Sequence, residues 1–419
     1  MKNQFLQKYI DELPKGERAD VTLKRRMAQR FQETGRVDHK GEYTLFGQIF
    51  TQLKAQNNQN CFRQNGTDEK IWQTKFQGEG SIDAGGPFRE SITNICSEIE
   101  SDTLPLLIKT PNNRNNHGEN RDCWIPNPAS KSPSHLEMFF FLGKLIGYGI
   151  RTLCPLPLHF PPSFWKYMLG EELTSKDLKS FDTYSWQILE DLKKQSEKLT
   201  NEEFETIVQE TFVTRLSDGT EVELKDNGKK IALTKQNIEE YSKLFLETRF
   251  NEALTQLKMI KEGINYVIPL SMLNLLTWDE LESRACGDKG VDIVKLKSIT
   301  SYSCCSEEHE HIQRFWRVFE SFNDEERMLY LKFVWGRSRL PYDCENLRDR
   351  HELYLEDYKG DKDFPEAHTC FFQLDLPAYT TDEICRQRLI TAITMCGEID
   401  ADRDANYIES DDDQEQVEE

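Results

Sequence analysis

The chain has 419 residues and a net charge of −20, too long for one ordinary core and too acidic for general nucleic-acid binding, which needs a basic footprint. It holds no apolar run of about 18 residues, so no membrane span is expected, and its opening "MKNQFLQKYIDELPKGERAD" lacks the apolar stretch of a secretory signal. Its 11 cysteines show neither a framework spacing nor a C-x-x-C pair, so they read as reduced thiols of a cytosolic or nuclear protein rather than redox or zinc-ribbon ligands.

Residues 1–50 read as a charged, helical extension in which "VTLKRRMAQRF" is the clearest helix. Its Lys24, Arg25, Arg26 and Arg30 make a basic face, expected to be solvated. "KAQNNQNCFRQNGTDEK" reads as a loop. "IWQTKFQGEGSIDAGGPFRESITNICSEI" gives a strand, a glycine-rich turn and a helix with Ile92, Ile95 and Ile99 on one face. The turn carries two acids and lacks the Lys-Ser/Thr ending of a phosphate cradle, so it is expected to serve the backbone. "TPNNRNNHGENRD" reads as a loop. "HLEMFFFLGKLIGYGIRTL" is apolar nearly all round and must be buried, with Gly143, Gly147 and Gly149 allowing close neighbours.

Between residues 165 and 255 helical patterns alternate with a hairpin, "FVTRLSDGTEVELKDNGKKIALT", turning at Asp218-Gly219 and Asn227-Gly228. This predicts a small α+β insert in a helical body. "SMLNLLTWDELESRACGDKG" predicts a helix ending at Gly287, with Gly290 just beyond as part of a hinge. "IQRFWRVFESFNDEERMLYLKFVWG" gives two more helices, and "TTDEICRQRLITAITMC" a last one capped by Thr380 or Thr381. From Glu398 to Glu419 acids dominate, the composition of a disordered tail.

"FPEAHTCFFQLDLPAY" holds the strongest chemical candidate. A nucleophilic cysteine needs a thiolate, some exposure and a neighbour that stabilises the charge. On an extended segment His368 and Cys370 would point to the same side. From residue types alone, a reactive Cys370 and a buried Cys with a surface His both stay open. A cysteine hydrolase is disfavoured, since its His normally lies far away in sequence. "SCCSEEHEHI" clusters Cys304, Cys305, His309 and His311, but adjacent cysteines seldom bind one zinc ion together.

Taken in order, "FQGEGSIDAGGPFRE", "FFFLGKLIGYGI", "LTWDELESRACG", "IQRFWRVFESFNDEER", "LKFVWGRSRLP" and "EAHTCFFQLDLPAYTT" resemble the HECT domain of E3 ubiquitin ligases, from about Lys70 to Cys396. Among subfamilies the large HERC-type ligases are the most similar. The resemblance implies an α+β, bilobal fold: a mostly helical N-lobe with an inserted E2-binding α+β subdomain, a glycine hinge at Gly287 and Gly290, and a smaller α/β C-lobe. On this chain that gives an extension over 1–50, an N-lobe over 51–287 with its insert at 165–255, a C-lobe over 288–397 and an acidic disordered tail over 398–419.

The resemblance also implies the chemistry. Cys370 takes ubiquitin from a loaded E2 as a thioester and passes it to a substrate lysine, with no cofactor or metal. His368 and Thr369 shape the site, and Asp375 is either a lysine-orienting acid or a solvated loop residue. Trp186, Ile188 and Leu189 on one side, and Tyr241 and Phe245 on the other, form the E2 groove unless they are core of the insert. Ser185 stands where many relatives carry an apolar residue. Glu79, Asp83, Gly85, Gly86, Arg89 and Glu90 form a structural turn with ion pairs, and Arg339 does similar work beside the catalytic loop. Phe372 replaces an asparagine common in the family, and Tyr407 is the one aromatic of the tail. The alternative is a HECT-like scaffold that binds E2 or ubiquitin without transfer.

Overall fold

The computed structural model describes residues 2–56, 60–64, 70–78, 85–337, 339–341, 350–369 and 371–402. They divide into two compact units: unit 1 is Met1–Lys289 with Arg339–Asp343, and unit 2 is Gly290–Ser338 with Cys344–Glu419.

Unit 1 is built on the helix Pro133–Thr152. The Ser132 hydroxyl caps it by accepting the His135 N–H, and Pro133 supplies a preset first residue. Met138, Phe139, Leu142, Leu145, Ile146 and Ile150 bury its flanks. Its glycines let the helix Leu254–Val267 approach at backbone distance. A Cβ on Gly143 would run into the Ile260 carbonyl, and one on Gly147 would stand 2.9 Å from Val267 Cβ.

The first fifty residues, expected as an extension, instead pack into this core through Leu6, Ile10, Val21, Leu23, Phe46 and Ile49. The expected helix from Val21 is also corrected. Strand β1 (Ala19–Leu23) pairs in parallel with β2 (Trp72–Phe76), and the helix begins only at Arg25 and runs to Glu33. Ala19, Val21 and Leu23 alternate inward, the period-two signature of a strand that five residues show only faintly. Of the basic face, Lys24, Arg26 and Arg30 are exposed. Arg25 is not: it lies 4.0 Å over the Phe76 ring and pairs with Glu90 at 2.8 Å.

The segment read as loop around Asn112 contains one helical turn, Pro111–Arg114, between the paired strands β3 (Leu107–Lys109) and β4 (Trp124–Pro126). Thr110 caps that turn by accepting the Asn113 N–H. The insert has a core of its own, with Leu178, Phe181, Leu189, Phe204, Phe212 and Phe245 among its members. Its hairpin, β5 (Val213–Arg215) and β6 (Glu221–Glu223), turns at Gly219 with φ 88°, and Asn227 takes φ 58° at the second turn. The stretch from Ser271 to Gly287 is two helices, Leu270–Leu273 and Trp278–Cys286, rather than one. Thr277 restarts the helix through a capping box with Glu280.

Unit 2 is a four-stranded sheet in the order β7 (Thr300–Ser303), β8 (His351–Glu356), β10 (Gln373–Pro377), β9 (Glu366–His368). The first three run parallel and β9 is an antiparallel edge. Leu353, Leu374 and Leu376 are buried on one face, the side of the helices Glu310–Glu320, Asp324–Trp335 and Asp382–Asp402. The other face carries Ser301, Ser303, Glu352, Tyr354, Gln373 and Asp375, all half-buried or exposed. The Thr381 hydroxyl accepts the Ile384 N–H at the start of the last helix. Residues 403–419, which hold most of the expected tail and Tyr407, lie outside the described residues.

Candidate functional site

The segment that carries the cysteine motif folds as β9, a short turn and β10. In the antiparallel register His368 faces Gln373, so Asp375 is its diagonal neighbour on the same polar face. His368 Nε2 lies 3.0 Å from Asp375 Oδ2, and Gln373 Nε2 donates to Asp375 Oδ1 at 2.6 Å. Two neighbours thus hold the carboxylate, and it is not a solvated loop residue. Asp375 was legible from the sequence. Gln373 was not singled out, although its place two residues earlier on the same strand face is the signal that finds it.

The turn between the strands is tied at both ends. The Phe371 N–H donates to the His368 carbonyl at 2.9 Å, and the Phe372 carbonyl accepts the Glu352 N–H at 2.9 Å. Thr369 is half-buried within it, and Phe371 is exposed. Cys370 lies outside the described residues. Phe372 is fully buried and adopts φ 55°.

Most of the described cysteines make poor nucleophiles. Burial pushes the thiols of Cys61, Cys286 and Cys385 up to about 12, and those of Cys96 and Cys123 well above their ordinary value. Cys305 is half-buried and shifted the same way by the same cause. Cys304 is exposed, beside Tyr354. His311 Nδ1 lies 2.9 Å from the Tyr379 carbonyl, and no metal-holding group of three side chains gathers among the described residues.

Of the two readings left open for the residues of the expected E2 groove, burial in the insert fits three of them. Leu189, Tyr241 and Phe245 are buried in the core of the insert, where the Tyr241 ring meets Phe212 edge-on at 5.4 Å. Trp186 and Ile188 are half-buried, with Lys179 Nζ 5.0 Å from the Trp186 ring. The large apolar side chains of the insert that are most exposed are Tyr184, at 66%, and Ile207, at 59%. Neither was singled out. Tyr184 and Ile188 lie one turn apart on the helix Thr183–Lys198, which buries Leu189 and Leu192.

Ser185 belongs to a buried polar cluster. Its hydroxyl donates to Asp182 Oδ2 at 2.7 Å and lies 3.1 Å from Arg249 Nη1. Arg249 pairs with Asp182 at 2.7 Å and Glu252 at 3.2 Å, and donates to Ser217 Oγ at 3.0 Å.

Of the glycine–acid turn, Glu79 and Asp83 lie outside the described residues. Gly85, with φ 131°, precedes the helix Gly86–Ile99, on which Arg89 is buried and Glu90 meets Arg25. Arg339 lies in unit 1, buried and close enough to Glu282 and Cys286 to act on their charges. Gly287 ends its helix with φ 79°, and a Cβ there would stand 2.6 Å from the Leu340 carbonyl. Gly290, φ 74°, is the first residue of unit 2 and has open space around it.

A family model described as "HECT-domain (ubiquitin-transferase)" matches residues 93–401. The Mus musculus "E3 ubiquitin-protein ligase HERC2" is 36% identical over 365 residues, which is 86% of this chain and 7% of that protein. The Mus musculus "E3 ubiquitin-protein ligase HUWE1" is 34% identical over 336 residues, 77% of this chain and 7% of its own length. "E3 ubiquitin-protein ligase RSP5" of Chaetomium thermophilum is 31% identical over 340 residues, 79% of this chain and 40% of that protein. The chain thus spans a small part of the curated relatives it matches.

Proposed function

This chain belongs to the HECT-domain family of ubiquitin transferases, and we propose that it acts as an E3 ubiquitin-protein ligase domain through a Cys370 thioester. The Cys370 thiolate attacks the carbonyl of an E2–ubiquitin thioester and expels the E2 thiolate. Such thiol exchange is close to thermoneutral, so positioning and thiolate fraction govern its rate. A substrate lysine amine then attacks the new thioester, the C–S bond breaks, the Cys370 thiolate leaves and an isopeptide forms. The attacking nitrogen must shed a proton, which a nearby carboxylate can orient or accept.

The observation that best supports this reading is the His368–Asp375 contact on the polar sheet face, with its two residues flanking Cys370 in the chain. Asp375 is the acid for the incoming lysine, His368 and Gln373 aim it, and Thr369 shapes the turn. E2 docks on the insert, where Tyr184, Trp186, Ile188 and Ile207 offer apolar surface over a core that includes Leu189, Tyr241 and Phe245. Gly287 and Gly290 are the pivot that lets one thiol serve two partners in turn.

The test is a non-reducing gel after incubation with E1, a panel of E2 enzymes and ubiquitin. A thiol-sensitive adduct forms with the native chain, disappears in Cys370→Ala and becomes a thiol-resistant oxyester in Cys370→Ser. Absence of an adduct with every E2 would make the chain a binding scaffold. An adduct that survives Cys370→Ala would move the nucleophile elsewhere.

A further inference from the structure

We propose that Phe372 is a positioning residue of the transfer site: its buried ring locks a left-handed backbone at the end of the Cys370 turn. The proposal rests on Cys370 being the nucleophile. Six non-glycine residues among those described have positive φ, and three of them are asparagines, the residue type that tolerates it best. Phe372, at φ 55°, has no such intrinsic preference, so something outside the residue must hold it there.

The restraint comes from three directions. The ring stacks on Trp335 with centroids 4.2 Å apart and planes 6° apart. On another side it meets His351 at 5.0 Å. That imidazole is itself fixed, 2.8 Å from the Thr300 hydroxyl and 2.8 Å from the Tyr330 hydroxyl. The backbone is tied by the bond from the Glu352 N–H to the Phe372 carbonyl, 2.9 Å long. Trp335 is the last residue of its helix, and the Arg337 guanidinium lies 4.5 Å from its ring.

A steric barrier separates αL from the β region, and the ring stack with the tied carbonyl holds Phe372 on the αL side. While the stack holds, the direction in which the chain leaves the Cys370 turn is therefore fixed. If the stack is lost and the residue lacks αL preference, position 372 relaxes to negative φ and the turn re-aims. The residue works through the backbone of the loop.

This separates two roles that a simple core residue would combine. If position 372 serves backbone geometry, activity follows αL preference. If it only fills space, activity follows apolar volume. The experiment compares Phe372→Asn with Phe372→Ile in the full chain, measuring single-turnover transfer from E2–ubiquitin to Cys370, the E2–ubiquitin concentration dependence, and thermal unfolding. Rates are taken well below the lower Tm of the two variants.

The expected result is that Phe372→Asn melts earlier yet transfers within about threefold of the native rate. Phe372→Ile, which keeps apolar bulk but strongly disfavours αL, should lose tenfold or more in maximal rate with an unchanged half-saturating E2–ubiquitin concentration. Equal rates, or a fast Ile variant with a slow Asn variant, would overturn the proposal. A native chain that forms no adduct would instead overturn the Cys370 reading, and the native control reports that separately.

Discussion

Asp375 shows how register decides which neighbours a carboxylate meets. A one-residue slip between β9 and β10 would turn its carboxylate into the sheet's buried face. As it stands, His368 and Gln373 both reach it. Asp375→Asn keeps the shape and removes the proton acceptor, so it should slow discharge of ubiquitin to free lysine by about 10²-fold and leave thioester formation near native. Pulse–chase gels that follow each step separately check this. An equal loss in both steps would make Asp375 a structural residue. The motif around Cys370 made this acid legible. The outward residues of the insert were harder to read, because Tyr184, Trp186 and Leu189 share a helix whose inward phase is set by Phe204, Phe212 and Leu233, all distant in sequence. Phe372 was legible only as a departure from the family. Its backbone conformation, which costs a non-glycine residue on the order of 1–3 kcal/mol, is invisible in the letters.

The elements that carry the body are held by what their residues lack. Gly143 and Gly263 face each other across two helices, each without room for a Cβ. Gly143→Val should therefore cost about 3 kcal/mol through overpacking, whereas Gly219→Ala, in open space at φ 88°, should cost only about 1 kcal/mol of backbone strain. Urea unfolding of the two variants gives the comparison, and similar midpoints would mean that the helices can separate at little cost. The long apolar helix could be read from its composition, since a helix apolar on all sides has to be buried. The β1 strand could not, because its partner β2 lies some fifty residues on and short strands are defined by pairing. The break before Trp278 could have been read, since Thr277 and Glu280 spell a capping box.

At the scale of the molecule, each unit has a distinct sensitivity. His351 is fully buried in unit 2, and burial holds its pKa down at about 3. The unfolded chain takes up a proton below about pH 6.5, while the folded unit excludes it until about 3. The stability is thus whole above that range and is lost as pH falls through it, by about 1.4 kcal/mol per pH unit. Between pH 7 and pH 5, protection factors of the β8 and β10 amides should drop by an amount equal to about 2 kcal/mol. Those of the helix Pro133–Thr152 should not follow, and His351→Gln should abolish the difference. An unchanged β8 and β10 at pH 5 would mean that the imidazole charges in place. The two-lobed plan could be anticipated from the order of motifs alone. The return of residues 339–341 to unit 1 could not, because nothing in "GRSRLP" marks it.

That return has a consequence for evolution and for dissection. Leu340 is fully buried, and its carbonyl accepts the Asp288 N–H at 3.0 Å. Unit 1 is therefore discontinuous in the gene. A cut at Gly290 would strip its edge of that apolar side chain and orphan an amide, while the severed remainder would carry a greasy stitch with nowhere to go. The two units have to be inherited, duplicated or transplanted together, and recombination can exchange unit 2 only for another that brings its own matching stitch.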